Sequence, residues 1–183
     1  MAQTALVAVA RVQLQTERLL LQPIAQSHSK AILAAIVASR PELLPWMPWA
    51  KEPTLEGARE AAAGSRRDWR AGARFRFAMV ERTTNVVLGV VGLAREGDDS
   101  VDLAYWIRSD HAGRGLTTEA CRALIDWGAH TLGVSRITLW AGSENHASRR
   151  VAVKLGFTHL GPLDWQPDGG LGAFPAERYE LIV

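Results

Sequence analysis

Two glycines in front of a predicted helix could hold a phosphate group. Residues 106–127 read WIRSDHAGRGLTTEACRALIDW, and Gly113 and Gly115 stand between a strand-like and a helical run. Glycines let the backbone turn sharply and leave its N–H groups uncovered, and the positive end of the helix dipole points at the same spot. Arg114 could add a charge-assisted contact. The pattern lacks the Lys-Ser/Thr of a P-loop and the three glycines of a dinucleotide loop, so alone it indicates an anion site or a plain tight turn.

A second polar segment, ENHASRRVAVKLGF, occupies residues 144–157 and follows a strand-like run at 136–141. Asn145 is a residue type that caps helix N-termini, and Ser148 is common in a first helical turn. Arginine and lysine side chains further along could meet a phosphate or form a solvated helix surface. Taken alone, the segment fits either a binding site or an ordinary capped helix.

Together, the two segments resemble the GCN5-related N-acetyltransferase superfamily. In that family an acetyl-CoA loop follows the fourth strand, and a helix with the pattern N-x-x-S-x-x-x-x-x-K-x-G-F follows the fifth. The opening TERLLLQPI and the PWMPW motif further on resemble one branch, the Rim-type ribosomal-protein N-terminal acetyltransferases. The resemblance runs from Thr16 to the C-terminus, and the helix pattern matches at Asn145, Ser148, Lys154, Gly156 and Phe157.

The glycine loop departs from the family pattern Gln/Arg-x-x-Gly-x-Gly/Ala. With Gly115 aligned to the middle glycine, Ala112 stands at the Gln/Arg position and Thr117 at the last one. A side-chain contact from the first position is therefore missing. Because the donors of such a loop are backbone N–H groups, we expect the binding of CoA to survive, and Arg114 is a candidate to compensate.

The resemblance implies acetyl-CoA as the acetyl donor and no metal. It implies that the fourth and fifth strands, at about 101–107 and 136–142, splay apart and that pantetheine lies in the gap, pairing with exposed backbone. A backbone N–H near Trp106 or Ile107 would then be the oxyanion donor. The residues implied to bind the cofactor are Trp106, Ile107, Ala112, Gly113, Arg114, Gly115, Leu116, Thr117, Thr118, Asn145, Ser148 and Arg150.

Acetyl transfer to an amine also needs a base for the amine and an acid for the leaving thiolate. The resemblance implies that the hydroxyl of Ser148 meets the CoA sulfur and that Asn145 contacts pantetheine. It places Asp102, on the fourth strand, where the Rim-type branch often carries a carboxylate, so Asp102 is the candidate base. An ordered water could relay the proton, and the other candidates for the base are Glu119, His146, Asp164 and Asp168.

A proline-rich segment, PELLPWMPWAKEP at residues 41–53, separates the first two predicted helices. Four prolines at this density disfavour a long helix and predict an ordered loop with short turns. Trp46 and Trp49 would be held rigidly there and could line the acceptor pocket, or they could form a lid packed on the core.

The expected activity is direct attack of a primary amine on acetyl-CoA in a ternary complex. The favoured acceptor is the N-terminal amine of a protein or peptide. Two alternatives stay open, namely transfer to a small molecule such as an antibiotic, a polyamine or an amino acid, and a non-catalytic module that binds acyl-CoA. A fold cannot choose between acceptors. A homodimer is compatible with apolar strands near the C-terminus.

Composition narrows the class of protein. Of the 183 residues, 48% are hydrophobic and 22% are charged, which is typical of a globular domain. We expect an N-terminal extension at 1–13 and a single domain at 14–183. The single cysteine, Cys121, excludes an intramolecular disulfide, and the five histidines have no metal-like spacing. The net charge of +2 and the scattered arginines argue against nucleic-acid binding, and no apolar run reaches membrane-spanning length, so we expect a cytoplasmic protein.

The elements that must position these residues alternate between strands and helices. The predicted order is β-α-α-β-β-β-α-β-α-β-β, an α/β (α+β) fold with a mixed, mostly antiparallel central sheet flanked by helices. The hydrophobic patterns place strands at 14–22, 74–81, 86–95, 100–107, 136–141, 158–164 and 178–183, and helices at 30–39, 55–71, 117–132 and 146–155.

Overall fold

The computed structural model describes residues 12–165 and 174–183 and forms one sheet of eight strands within them. The spatial order is β1-β2-β3-β4-β5-β6-β8-β7, and every neighbouring pair is antiparallel except β5 and β6, which are parallel. The strands are β1 Leu14–Gln15, β2 Leu19–Pro23, β3 Arg74–Glu81, β4 Val87–Arg95, β5 Ser100–Ile107, β6 Arg136–Gly142, β7 Thr158–Trp165 and β8 Phe174–Ile182.

Five α-helices flank this sheet within the described residues: α1 Ser29–Ala38, α2 Arg40–Leu43, α3 Leu55–Ala71, α4 Leu116–Trp127 and α5 His146–Leu155. A wider turn, Gly128–Leu132, continues α4. The Oγ1 of Thr54 accepts the N–H of Gly57 at 3.0 Å and so caps α3, which ends at Gly72. No helix in the described part of the chain is long and apolar enough to cross a membrane.

The sheet has two differently covered faces. Along β5, Val101 and Leu103 join the large core beneath α4 and α5, whereas Trp106 joins a smaller core beneath α1 and α2. This alternation is the period-two pattern of a strand. Complete burial of each large apolar side chain contributes about 1.5–3 kcal/mol, so both cores anchor β5 firmly.

The structure confirms the predicted fold class, but the first strand is divided. The prediction was one strand from residue 14 to residue 22, and instead β1 folds back on β2, with Leu14 opposite Leu21. The cause is a tight turn at Thr16, whose N–H donates to the carbonyl of Leu19 at 2.9 Å and whose Oγ1 accepts the N–H of Leu19 at 3.0 Å. Hydrophobic alternation cannot reveal a turn that a side-chain hydroxyl closes.

The predicted splay lies between β5 and β6. The two strands pair through only three residue pairs, the last of which joins Asp102 to Thr138. Beyond that pair β5 continues to Ile107 and β6 to Gly142 without facing each other in the ladder. The result is a V-shaped gap in the middle of the sheet, closed at Asp102 and Thr138 and open toward the glycine loop. Of the other sequence-based assignments, residues 1–11 and Asp168 lie outside the described residues.

Candidate active site

The glycine loop has the backbone that its sequence requires. Gly113 and Gly115 have φ angles of +76° and +80°, a region that favours glycine, and Gly115 is the residue from which α4 starts. Residues 112–115 are exposed, while Leu116 is buried and anchors the helix start. The first N–H groups of a helix have no intrahelical partner. The loop therefore presents uncovered donors at the positive end of α4.

Hydrogen bonds among Thr16, Arg18 and Glu119, which the sequence analysis missed, hold this loop in place. One carboxylate oxygen of Glu119 accepts the hydroxyl of Thr16 at 2.5 Å, and the other accepts Nε of Arg18 at 2.7 Å. Arg18 also donates to the carbonyl oxygen of Arg114 at 2.9 Å, which ties the β1–β2 turn to the glycine loop. Burial alone would raise the pKa of Glu119, but the hydrogen bonds from Thr16 and Arg18 outweigh it and lower that pKa. Glu119 is thus a structural anion and a poor general base.

The basic side chains near the loop are only partly placed for a phosphate. Arg114 lies 3.6 Å from a carboxylate oxygen of Glu81 and would have to leave that ion pair to reach a ligand. Arg150 is exposed on α5. A shallow groove of about 460 Å³ runs from the loop along α4, and its lining includes Gly115, Thr118, Arg122 and Lys154.

The gap between β5 and β6 exposes backbone donors of β5. The N–H of Arg108 bonds to the carbonyl of Leu88 on β4 at 2.7 Å. In an antiparallel ladder alternate N–H groups point to the same neighbour, so the N–H of Trp106 also points to β4. The N–H groups of Tyr105 and Ile107 point the other way, into the gap. Of the two residues proposed for the oxyanion donor, the geometry therefore favours Ile107.

Gly89 is a further residue that the sequence did not single out. It pairs with Ile107, and a Cβ at this position would lie 2.1 Å from the carbonyl oxygen of Trp106. Because the clashing atom belongs to the backbone of β5, any side chain at position 89 would displace β5 at the mouth of the gap.

Ser148 lies on the α4–α5 face of the gap, next to Tyr105. The phenol oxygen of Tyr105 is 2.9 Å from Ser148 Oγ and donates to the Ser148 carbonyl at 3.2 Å. Burial raises the pKa of Tyr105 well above its ordinary value, so the phenol keeps its proton. Asn145 Oδ1 accepts the N–H of Ser148 at 3.1 Å, which shows the helix cap that its residue type suggested. Tyr105 was missed, although its alternate position on β5 placed it toward the cofactor helix.

Asp102 lies at the closed end of the gap, on the opposite face. Thr138 Oγ1 is 3.4 Å from its Oδ1 and 2.9 Å from the Oε2 of Glu96. Burial, and then repulsion from Glu96, raise the pKa of Asp102 to about 7, against the lowering effects of the Thr138 hydrogen bond and Arg74. A carboxyl group with this pKa can accept a proton near neutral pH.

Trp46 and Trp49 reach the two arms of the gap from the proline-rich segment. The ring of Trp49 packs on Trp106 of β5, with centroids 6.0 Å apart. The ring of Trp46 lies against Gly142 of β6, where a Cβ would come within 2.5 Å of ring carbon Cζ3. The two tryptophans thus span the mouth of the gap on the Asp102 face, with Trp49 half-exposed.

The remaining candidates for a base are not gathered at the gap. His146 is an exposed residue 3.8 Å from Glu144, and Asp164 is an exposed residue on β7, which β8 separates from β6. Cys121 is completely buried, and burial raises the pKa of its thiol, so it is not a nucleophile. Within residues 12–165 and 174–183, no group of three His, Cys, Asp or Glu residues could hold a metal ion.

Comparisons with known proteins agree with this geometry. The model of the acetyltransferase (GNAT) domain matches residues 18–158. YoaA of Bacillus subtilis, an uncharacterized N-acetyltransferase, is 25% identical over 152 residues, which cover 82% of this chain and 85% of that protein. YdaF of the same organism, named as a candidate ribosomal N-acetyltransferase, is 35% identical over 60 residues, which span only 33% of each chain.

Two solved structures share the fold. RimL, a ribosomal L7/L12 alpha-N-protein acetyltransferase in complex with coenzyme A, superposes with a TM-score of 0.85 at 19% identity over 94% of this chain and 98% of its own. A ribosomal-protein-S5-alanine acetyltransferase from Vibrio fischeri gives 0.82 at 21% identity, covering 93% and 96%. Since the family model spans most of the sequence, the chain belongs to the GNAT acetyltransferase family.

Proposed function

We propose that this acetyltransferase moves the acetyl group of acetyl-CoA to the N-terminal amine of a protein. The observation that carries the proposal is the gap between β5 and β6, which has the exposed glycine loop on one side and a tryptophan-lined trough on the other. Donor and acceptor can therefore approach one carbonyl from opposite faces of the sheet. Such an arrangement suits direct transfer, and the buried Cys121 offers no covalent alternative.

The loop fits the charge and shape of a pyrophosphate. Its N–H groups are uncovered, its glycines keep side chains out of the way, and the start of α4 adds a positive dipole end. We propose that residues 112–118 hold the pyrophosphate, that Asn145 contacts pantetheine with its free amide group, and that Arg150 meets a phosphate. When bound, acetyl-CoA supplies an activated thioester carbonyl.

Three groups of this chain divide the proton and charge movements. The N–H of Ile107 points into the gap and would stabilise the oxyanion. Asp102 would take one proton from the acceptor ammonium group through water, since it lies at the closed end of the same gap, and the free amine would then attack. Ser148, backed by the phenol of Tyr105, would donate a hydrogen bond to the departing thiolate, which takes up the second proton that the nitrogen releases. A carbon–nitrogen bond forms as the carbon–sulfur bond breaks.

The open acceptor side supports a protein N-terminus as the acceptor. Ala104, the next residue on the Asp102 face, is exposed, and its small side chain leaves room beside β5 for an extended peptide. The rings of Trp46 and Trp49 could pack against the first residues of an extended peptide. The names of YdaF and RimL point to ribosomal acceptors, which this protein would meet in the cytoplasm.

Thiol release from acetyl-CoA tests the proposal directly. The acceptors are peptides with free N-termini, the same peptides with a formylated N-terminus, and small amines such as polyamines and aminoglycosides. We expect release with free peptides and at most background with their formylated partners. Release with small amines alone would reassign the acceptor, and tight acetyl-CoA binding without any turnover would indicate a non-catalytic module.

A further inference from the structure

Thr138 stands between two carboxylates on the acceptor face. Its Oγ1 is 2.9 Å from Glu96 and 3.4 Å from Asp102, and Thr138 itself is only 1% exposed. A hydroxyl carries one hydrogen and two lone pairs, so it can donate to only one of the two carboxylates. If both were ionised, one of them would face the oxygen lone pairs of Thr138 without a hydrogen between them.

A single extra proton resolves this conflict. When Asp102 is protonated, its O–H donates to Thr138 Oγ1, and the Thr138 hydroxyl donates to Glu96 at the shorter distance. Asp102 is the more buried of the two carboxyl groups, whereas Glu96 is exposed beyond the end of β4. The resting arrangement is thus a two-bond chain that leads from the closed end of the gap to solvent.

We infer that Thr138 and Glu96 form a proton outlet for Asp102. The inference rests on the proposed function, in which Asp102 takes the proton of the acceptor amine. That proton enters on the Asp102 carboxylate; the Asp102 hydroxyl then passes a proton to Thr138 Oγ1 while Thr138 passes its own hydrogen to Glu96. Glu96 releases a proton to water, so one proton moves from the ammonium group to solvent and no bond is left unbalanced. Thr138 and Glu96 are positioning residues, because neither touches the reacting atoms.

The connection from Asp102 to the acceptor runs along β5. Ala104 is the next residue on the same face, about 7 Å further along at ~3.3 Å per residue, and its small exposed side chain leaves room for water. Several charged groups share this face of the sheet: Arg74 and the Arg76–Asp68 ion pair near β3, Glu96 after β4, Arg136 on β6 and Glu180 on β8.

Two substitutions test the two bonds of this chain separately. Repulsion from Glu96 raises the pKa of Asp102, so Glu96→Gln should lower it. Thr138→Val removes the hydroxyl that links the two carboxyl groups and leaves the charge of Glu96 in place. A role in packing alone would leave kcat unchanged in both variants, because valine preserves the shape of threonine and Glu96 is exposed.

The test combines carbon-13 NMR of the aspartate carboxyl groups with pH profiles of thiol release. In the wild type we expect Asp102 to titrate near pH 7, with a midpoint lower by about one pH unit in Glu96→Gln. The acid limb of kcat/KM should follow the same shift. On the high-pH plateau we expect kcat to fall about 10-fold in both variants, because the outlet is broken.

Glu180→Gln is the matched control. Glu180 lies beside Thr138 in the sheet and pairs with Arg136 at 3.8 Å, so the same charge is removed one strand away. We expect neither the midpoint nor kcat to change in this variant. An unchanged midpoint in Glu96→Gln, or an unchanged plateau kcat in either variant, would overturn the outlet alone. Absence of turnover with every amine would overturn the proposed function and the outlet together.

Discussion

The two sides of the gap are built by different means. The proposed pyrophosphate loop is one continuous stretch, residues 112–118, with backbone N–H groups and two glycines with positive φ. The proposed acceptor side collects side chains from separate segments: Trp46 and Trp49 before α3, Asp102 on β5 and Thr138 on β6. A site of the first kind tolerates changed side chains, such as Ala112 and Thr117, but not a changed backbone. A site of the second kind depends on each side chain.

The largest expected effect is at Gly115. A valine at a φ of +80° is strained by about 1–3 kcal/mol, so the loop would relax and redirect its N–H groups. The surroundings leave space, since the nearest atom to an added Cβ is Nη2 of Arg18 at 3.5 Å. We expect Gly115→Val to weaken CoA binding by at least ~100-fold in calorimetry, about 2.7 kcal/mol.

Gly133→Val is the control for this strain. Gly133 has a φ of +66° after the turn that follows α4, and an added Cβ would meet no atom within 4 Å. We expect both variants to lose a similar free energy of unfolding and only Gly115→Val to lose CoA. Equal CoA affinities in the two variants would place the pyrophosphate elsewhere.

Ser148 should give the next largest effect. The hydrogen bond that we propose from Ser148 to the leaving thiolate would strengthen only as charge develops, so its loss should lower kcat and leave acetyl-CoA binding unchanged. We expect Ser148→Ala to reduce kcat by on the order of 10- to 1,000-fold. Wild-type kcat in Ser148→Ala, with an acceptor that the wild type uses well, would leave Ser148 only its role in the first turn of α5.

Tyr105→Phe tests the partner of Ser148. The variant removes the phenol that lies 2.9 Å from Ser148 Oγ and keeps the aromatic ring. If the hydrogen bond from Tyr105 orients the Ser148 hydroxyl, kcat should fall by less than in Ser148→Ala, about 10-fold, with an unchanged KM for acetyl-CoA. A change in the KM alone would make Tyr105 a part of cofactor binding.

The smallest effect is expected on the acceptor side. Trp46→Ala and Trp49→Ala should raise the KM of the acceptor several-fold, and by more than the KM of acetyl-CoA, because both rings lie on the Asp102 face of the gap. Initial rates measured with each substrate varied in turn separate the two constants. A raised KM for acetyl-CoA beside an unchanged acceptor KM would move the acceptor wall away from these residues.

The same difference explains what the sequence could predict. Glycine spacing and the Asn145–Ser148 pattern are local signals, so the sequence alone could point to a cofactor side, which stays a prediction. The hydrophobic patterns predicted the fold class, and the family resemblance implied the splay that the structure shows between β5 and β6. Thr138 is far from Asp102 and Glu96 in sequence, and only the register of β5 and β6 brings it to them. The division of the first strand depends on a hydrogen bond of the Thr16 hydroxyl. A hydrophobic pattern contains no information about such a bond, so the sequence could not predict the turn.

The most direct test is a crystal structure with a bisubstrate in which the CoA sulfur is joined through an acetyl spacer to a peptide N-terminus. We expect the pyrophosphate at the N–H groups of residues 112–118, pantetheine between β5 and β6, and the peptide leaving over Ala104 between Trp46 and Trp49. A peptide that leaves on the α4–α5 face, or a pyrophosphate away from the glycine loop, would contradict this expectation.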